Sequence, residues 1–382
     1  MTASTDSAPP AGERTALASV LVAAGGTGGH LFPAEALAAA LAKCNVAVAL
    51  ATDARAAHHA GAFAAAGVHV IPSATIRGRN PFSLAKTGAM LGYGVLKAWL
   101  KLPRIKPAVV VGFGGYPSIP PLLAAVARGI PTVIHEQNAV MGRANRMLAP
   151  RVRAIATGFA GILNREPALA AKATHTGNPV RPAVIAAAST PYPALDTNGP
   201  LRLLVFGGSQ GARVMADVVP LAIERLEPRL QMRLKIVQQA REEDMARVRE
   251  TYAKLNVAAL VEPFFKDLPA RMAASHLVVA RSGASTVAEL TAIGRPGILV
   301  PLPHALDQDQ HHNAGVLMDA GGAIRLPQAD FTPDRLASEI AALAAEPLRL
   351  AGMAAAAKRA GAIDASDRLA DLVLRVAGIA KT

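Results

Sequence analysis

Read only for hydrophobic and polar positions, the chain alternates between two rhythms. Short aliphatic runs such as "SVLVAA", "VAVALAT", "AVVVGF", "PTVIHE", "RAIATG", "LRLLVFGG", "LKIVQQA", "HLVVAR" and "PGILVPL" have the length and β-branched content of buried strands. Between them, apolar residues return at helical spacing, as over 33–43, 213–227 and 285–293. Strands and helices in alternation predict parallel sheets covered on both faces. The plan occurs twice: "GGTGGH" (25–30) follows one aliphatic run and opens a helix, and "GGSQGA" (207–212) repeats this in the second half. We therefore expect an α/β chain with two Rossmann-like, doubly wound parallel-sheet domains around an interdomain cleft. The expected division is a disordered tail over 1–15, an N-terminal domain over 16–180 and a C-terminal domain over 181–360. A last helix in 361–382 is expected to pack back on the N-terminal domain.

Composition narrows this picture. With 382 residues, the chain is long enough for two cores. Hydrophobic residues make up 52% and aromatics only 4%, so those cores are built from Ala, Val and Leu. Cys44 is the only cysteine, which excludes structural disulfides and a cysteine-based zinc site and suits a reducing cytosol. The first residues carry Asp6 and Glu13 against Arg14, unlike the positive start of a secretory signal. No transmembrane helix is expected, because the uncharged stretch over 107–127 is broken by "GFGGYPSIPP".

A formal charge of +13 calls for an anionic partner. No Asp or Glu occurs from Ala54 to His135, while Arg77, Arg79, Lys86, Lys97, Lys101, Arg104 and Lys106 fall in one span. Phe82, Met90, Tyr93, Leu96, Trp99 and Leu100 are interleaved with them. Two readings stand: a segment lying on an anionic bilayer, or a helix packed on a sheet with a lysine-rich solvent face. Nucleic acid is not expected as a partner, since no stacking-aromatic series or helix-turn-helix pattern accompanies the charge.

Strand, glycine loop and helix N-terminus together make a cradle for phosphate, because glycine lets backbone N–H groups approach an anion. Neither loop has the spacing of a dinucleotide fingerprint or the lysine of a P-loop. A third glycine-rich turn, "GFGGYPS" (112–118), follows another aliphatic run. His30 closes the first loop where a helix starts. The dipole there disfavours imidazolium, so the ring is either a neutral proton acceptor or a hydrogen-bonding partner of loop or phosphate. In "RSGASTVAEL", Glu289 is suited to grip a ribose diol, or to satisfy helix amides with Ser285 as cap. The amides and carboxylates of "DQDQHHNA" suit sugar hydroxyls; adjacent histidines on a helix point apart, so no metal is expected there.

Taken in order, "GGTGGHLFPAEALA", "GFGGYPSIP", "HEQNAVMGRANRMLA", "TGNPVR", "VFGGSQGA", "RSGASTVAEL" and "DQDQHHNA" resemble the MurG family of bacterial glycosyltransferases, over about Val20 to Leu326. The resemblance implies the GT-B fold and an inverting enzyme of peptidoglycan synthesis. Such an enzyme moves N-acetylglucosamine from UDP-GlcNAc to the 4-hydroxyl of the MurNAc in undecaprenyl-diphosphate-MurNAc-pentapeptide. It implies no cofactor and no metal. The expected location is peripheral, on the cytoplasmic face of the inner membrane, with anionic lipids and other cell-wall synthesis or division proteins as partners.

Residue by residue, the resemblance places Ser209, Gln210 and Gly211 at the UDP diphosphate, and Ser285, Thr286 and Glu289 beside the ribose. It places the Phe265 main chain at the uracil edge, and Gln310, Asn313 and Arg181 near the sugar and diphosphate. Thr27, Gly28, Gly29 and Asn138 are expected to reach the donor from the other domain. Gly25, Gly26, His30, Gly114, Gly115, Tyr116 and His135 are expected at the acceptor. The catalytic base is His30, with Glu136 as alternative. Because a prenyl-linked acceptor stays in the bilayer, Arg77, Arg79, Phe82, Lys97, Trp99 and Lys101 are expected to form the docking face. Two departures stand out. Asp309 occupies a position where many relatives have Gln or His, and "PSIP" (117–120) lacks a glycine that is common before its last proline. The rival readings are a sugar-nucleotide epimerase, an NAD-dependent oxidoreductase and a non-catalytic nucleotide or nucleic-acid binder.

Overall fold

The computed structural model describes residues 19–25, 28–54, 67–74, 80–305 and 307–380, without the side chains of 81–84. The expected tail, Gly26, Thr27, Arg77, Arg79 and the Phe82 side chain lie outside the described residues. The aliphatic runs of the N-terminal half form β1 (Ser19–Ala23), β2 (Ala47–Thr52), β4 (Val109–Gly112), β5 (Thr132–Glu136) and β6 (Ala154–Thr157). Two short strands complete that sheet, β3 (Gly67–Val70) and β7 (Ala173–His175). The order is β3-β2-β1-β4-β5-β6-β7, every pair parallel. The C-terminal half builds β8 (Leu201–Phe206), β9 (Leu234–Gln239), β10 (Ala258–Glu262), β11 (Leu277–Ala280), β12 (Gly297–Leu299) and β13 (Ala323–Arg325). Its order is β10-β9-β8-β11-β12-β13, again parallel throughout.

The strands absent from the hydrophobic reading are β3, β7, β10 and β13. They are short, and β3 and β10 are outer strands whose side chains are largely half-buried or exposed. Without burial on both faces, no continuous aliphatic run is required. The first helix also starts earlier than its periodicity, at Gly28 rather than 33, because the glycine loop itself winds into its first turn. Pro33 is the sixth residue of that helix, just beyond the four first-turn amides that have no intrahelical partner, so the helix forgoes one bond there, to the Gly29 carbonyl.

Each sheet is sandwiched between two apolar clusters. The chain crosses between lobes after β7, and Val180 and Val184 already pack in the C-terminal core. It returns at the end: Leu369, Leu372 and Val373 of the Ala365–Ala377 helix share one core with Val20 and Val109 of the N-terminal sheet and Leu37 of the Gly28–Ala42 helix. Burying each such side chain stabilises by about 1.5–3 kcal/mol, so this helix is a firm strap between lobes. The crossing is tight at Gly177, whose φ is +80° and where a Cβ would stand 2.6 Å from that of Ala362. In both sheets the strand order reverses beside the first strand of the half, next to the glycine loops that follow β1 and β8. That reversal opens a crevice at the carboxyl ends of the strands, and the two crevices face each other.

Candidate active site

The two crevices enclose one cavity of about 520 Å³. Its N-terminal wall is the first turn of the Gly28–Ala42 helix, with Gly29, His30 and Phe32, and the end of β5, with Gln137 and Asn138. The opposite wall has three parts: Gly208 and Ser209 after β8, Phe264 to Lys266 after β10, and Gly283 to Thr286 with Glu289 after β11. Asp309, Arg181, Phe206, Gln239 and Leu268 are also in the lining.

Backbone geometry explains the glycines after β8. Gly208 and Gly211 have φ of +94° and +67°, and a Cβ on Gly207 would overlap the Ala212 amide. Gly207 N–H donates to Gln239 Oε1 at 3.0 Å, which fixes the loop to the end of β9. The Ala284–Ile293 helix begins against the cavity with Gly283 as its N-cap and no side-chain cap. Ser285 is therefore not the cap, and Glu289 does not satisfy the helix amides, contrary to the alternative drawn from spacing. The first-turn N–H groups remain available to an anion. Glu289 sits one turn on, buried, and its Oε1 accepts from Arg181 Nη2 at 2.9 Å. Burial pushes the Glu289 carboxyl up, and the Arg181 charge partly offsets this. Arg181 also stacks 4.5 Å over the Phe32 ring, so one guanidinium joins the crossover, the N-terminal helix and the C-terminal helix.

His30 lies in the first helical turn against the Gly114–Gly115 turn, where a Cβ on either glycine would come within 3.5 Å of the ring. Its Nδ1 is out of solvent and has no hydrogen-bond partner. Burial holds its pKa below the ordinary 6.5, against the smaller upward pull of the Phe113 main chain and Gln137. The ring is thus neutral at pH 7, with a nitrogen able to accept a proton.

Comparison with known proteins places this geometry. The chain matches the glycosyltransferase family 28 N-terminal domain over residues 20–157 and the C-terminal domain over 202–369. A Rhodopseudomonas palustris (strain HaA2) protein named UDP-N-acetylglucosamine–N-acetylmuramyl-(pentapeptide) pyrophosphoryl-undecaprenol N-acetylglucosamine transferase is 64% identical over 94% of this chain and 98% of its own. A protein of the same name from Nitrobacter hamburgensis is 60% identical over 94% and 97%. The chain belongs to glycosyltransferase family 28. The crystal structure of Acinetobacter baumannii MurG superposes with a TM-score of 0.75 at 29% identity, covering 94% of this chain and 99% of that one. Neisseria meningitidis UDP-GlcNAc 2-epimerase, at 14% identity over 94% of this chain and all of its own, has a TM-score of 0.65 and shares the fold.

Several residues of this family 28 glycosyltransferase lie elsewhere than expected. Glu136 is buried away from the cavity, and its carboxylate accepts from Asn138 N and Nδ2, Gly142 N and Asn145 Nδ2. With its lone pairs so engaged it anchors a loop, and it does not face the cleft as a base. His135 is also buried; its Nε2 pairs with the Gly177 carbonyl at 3.1 Å, and desolvation lowers its pKa to about 4. It belongs to the lobe junction and not to an acceptor surface. Asn313 is fully buried in contacts with Asn138, Ala139 and Ser282, and Gln310 Oε1 accepts from Leu302 N–H. Neither lines the cavity; Asp309, the position of departure, does.

Gly28 opens the first helix beside Gly29, and Gly25 lies buried against Pro117 and Thr52. Gly114 and Gly115 form the backing of His30, the half-buried Tyr116 packs against the apolar cluster of Ile119 and Leu122, and Gln210 and Gly211 sit just beyond Ser209 outside the lining. Phe32, Gln137, Gln239, Phe264 and Lys266 line the site without having been singled out. Gln137 lay inside "HEQN", and Gln239 ends an aliphatic strand with a polar side chain, which was a usable signal. Phe264 and Lys266 follow β10, a strand that the hydrophobic pattern does not mark.

The Pro81–Ile105 helix presents two faces. Ala98 and Leu102 are buried in the sheet's core, whereas Met90, Tyr93, Leu96, Trp99 and Leu100 are exposed. Arg128 stacks 3.9 Å over Trp99 and donates Nε to its carbonyl at 2.8 Å. Lys97 and Lys101 are half-buried, and Lys86 and Arg104 are exposed. A lysine-rich solvent face is therefore the wrong description; the outer face is apolar with cations around it. Among the described residues, no single helix is long and apolar enough to cross a membrane.

Proposed function

We propose that this enzyme transfers N-acetylglucosamine from UDP-N-acetylglucosamine to the 4-hydroxyl of N-acetylmuramoyl-pentapeptide carried on undecaprenyl diphosphate, with inversion at the anomeric carbon. The observation that carries this reading is one cavity with a neutral, half-buried imidazole on one wall and an uncapped helix N-terminus beside Glu289 on the other. The names of the relatives supply the sugar, the nucleotide and the lipid-linked acceptor.

In this reading the donor diphosphate rests on the first-turn amides of Ala284–Ile293 and the loop at Gly208 and Ser209. The Glu289 oxygen not bound to Arg181 accepts from the ribose. Negative charge grows on the UDP β-phosphate as the glycosidic bond breaks, and preorganised N–H groups stabilise it without reorganising. The acceptor hydroxyl attacks from the N-terminal wall and gives its proton to His30. One bond forms as the other breaks, so no covalent enzyme intermediate is needed and the anomeric configuration inverts.

The exposed apolar face of Pro81–Ile105 docks on the bilayer that holds the acceptor, with the nearby cations meeting anionic headgroups. The enzyme is thereby a peripheral membrane protein. Radiolabelled UDP-N-acetylglucosamine and a short-chain acceptor analogue test the reaction: label should pass into lipid. Label recovered only as free sugar or an epimer would overturn it. For docking, Leu96→Ser with Leu100→Ser should abolish sedimentation with anionic vesicles, and unchanged sedimentation would refute that face.

A further inference from the structure

We infer that Asn313 is a positioning residue that latches the two lobes together, and that the loop held by Glu136 is its keeper. Its side chain makes two bonds to the N-terminal lobe. Asn313 Oδ1 accepts from Ala139 N–H at 2.8 Å, and Asn313 Nδ2 donates to Asn138 Oδ1 at 3.1 Å. The same Nδ2 donates to the Ser282 carbonyl at 3.2 Å, one residue before the N-cap of the Ala284–Ile293 helix. Ser282 Oγ in turn donates to the Gln310 carbonyl at 2.8 Å. A single amide therefore spans from the loop after β5 to the turn that presents the donor-binding helix.

The latch is effective because its far end is rigid. Four donors converge on Glu136, from Asn138 N at 2.9 Å and Nδ2 at 3.2 Å, Gly142 N at 3.0 Å and Asn145 Nδ2 at 2.8 Å. They fix the backbone that offers Ala139 N–H and Asn138 Oδ1 to the other lobe. Asn313 is completely buried, so these bonds form in a medium where each is strong and a lost one is not replaced by water. The amide spends both Nδ2 hydrogens and one Oδ1 lone pair here, so it is committed to joining lobes and not to a sugar hydroxyl. The neighbouring Arg143–Asp307 pair, 3.2 Å apart and exposed, crosses the same junction and contributes little.

The consequence for transfer rests on the proposed function; the latch itself does not. Asn313→Ala, Asn138→Ala and their double variant are compared with Arg143→Gln as control, by small-angle scattering with and without UDP and by steady-state transfer. Each alanine variant should give a larger radius of gyration and lose about tenfold in kcat, and Asn313→Ala, which lies outside the cavity lining, should bind UDP normally with donor KM changed less than about threefold. The double variant should be no worse than the poorer single one, because both remove the same junction. Arg143→Gln should stay within about twofold. An additive double variant, or a tenfold rise in donor KM confined to Asn313→Ala with unchanged scattering, would overturn the latch and make Asn313 a sugar contact. Unchanged scattering in every variant would also overturn it, even if the chain catalysed no transfer at all.

Discussion

Replacing His30 with Gln tests the chemistry most directly. Gln keeps a polar side chain of similar reach against the Gly114–Gly115 turn, but it cannot accept a proton at neutral pH. The structure fixes the expected size of the effect. The ring lies in the first turn of the Gly28–Ala42 helix, and burial holds its pKa below 6.5, so the neutral, basic form predominates at pH 7. A positioned general base contributes about 10²–10⁴-fold, and each tenfold is about 1.36 kcal/mol of barrier, so kcat should fall by roughly that factor. The donor is held by the other lobe, so its KM should change little. In the wild type, kcat/KM should fall on the acid side as pH drops through a value below 6.5, and that limb should vanish in His30→Gln. The assay is label transfer into lipid from pH 4.5 to 8, with UDP binding as a check on folding. A loss smaller than about tenfold, or an acid limb that survives the substitution, would refute His30 as the base.

Other expectations concern binding and stability. Glu289→Ala removes a buried charged acceptor, worth about 1.5–3 kcal/mol for such a bond, so donor KM should rise roughly ten- to hundredfold; an unchanged KM would remove the ribose role. Gly207→Ala places a methyl on the Ala212 amide and should abolish UDP binding while leaving the fold, read by calorimetry and circular dichroism. His135 has a folded pKa of about 4 against an ordinary 6.5, so only the unfolded chain takes up its proton between those values. Stability is therefore full above pH 6.5 and falls by about 3 kcal/mol as pH drops to 4. Denaturant midpoints should show that slope in the wild type and a shallower one in His135→Gln; equal slopes would refute it.

The fold was legible where burial was complete. Strands covered on both faces must be aliphatic throughout, so β1, β4, β8 and β11 announced themselves, while β3 and β10, half solvated at the edges, did not. The site was legible where backbone constraints write residue identity: Gly207, Gly208 and Gly211 admit no side chain or need positive φ. The polar residues were harder, because sequence reports a side chain's chemistry and not which way it faces. Glu136, His135 and Asn313 have the chemistry of a cleft yet are turned inward, spent on loops and on the other lobe. Asp309, marked only as a departure, faces the ligand space. One residue's step along a helix separates Asp309 from Gln310; both are half-buried, and that step decides whether the side chain meets the cavity or the Leu302 main chain.

Charge settles a further point about how the enzyme divides its work. Among the described residues, the ionisable side chains lining the cavity, apart from His30, are Arg181, Lys266, Glu289 and Asp309, two of each sign. The chain's +13 is therefore not concentrated where the diphosphate is expected to bind. Neutral amides at a helix N-terminus serve there beside Arg181, whose charge is shared with Glu289, and they favour the charge that grows on the leaving phosphate. The positive excess belongs to the acid-free stretch from Ala54 to His135, which includes the exposed apolar helix face. Salt should then act on the two events differently. Raising ionic strength should release the enzyme from anionic vesicles, since exposed charges are screened over about 10 Å at 0.1 M. Donor KM measured with a water-soluble acceptor analogue should change little, because amide dipoles in a closed cleft are not screened in that way. Parallel salt dependence of the two would place the diphosphate on mobile surface cations and remove the helix N-terminus from the mechanism.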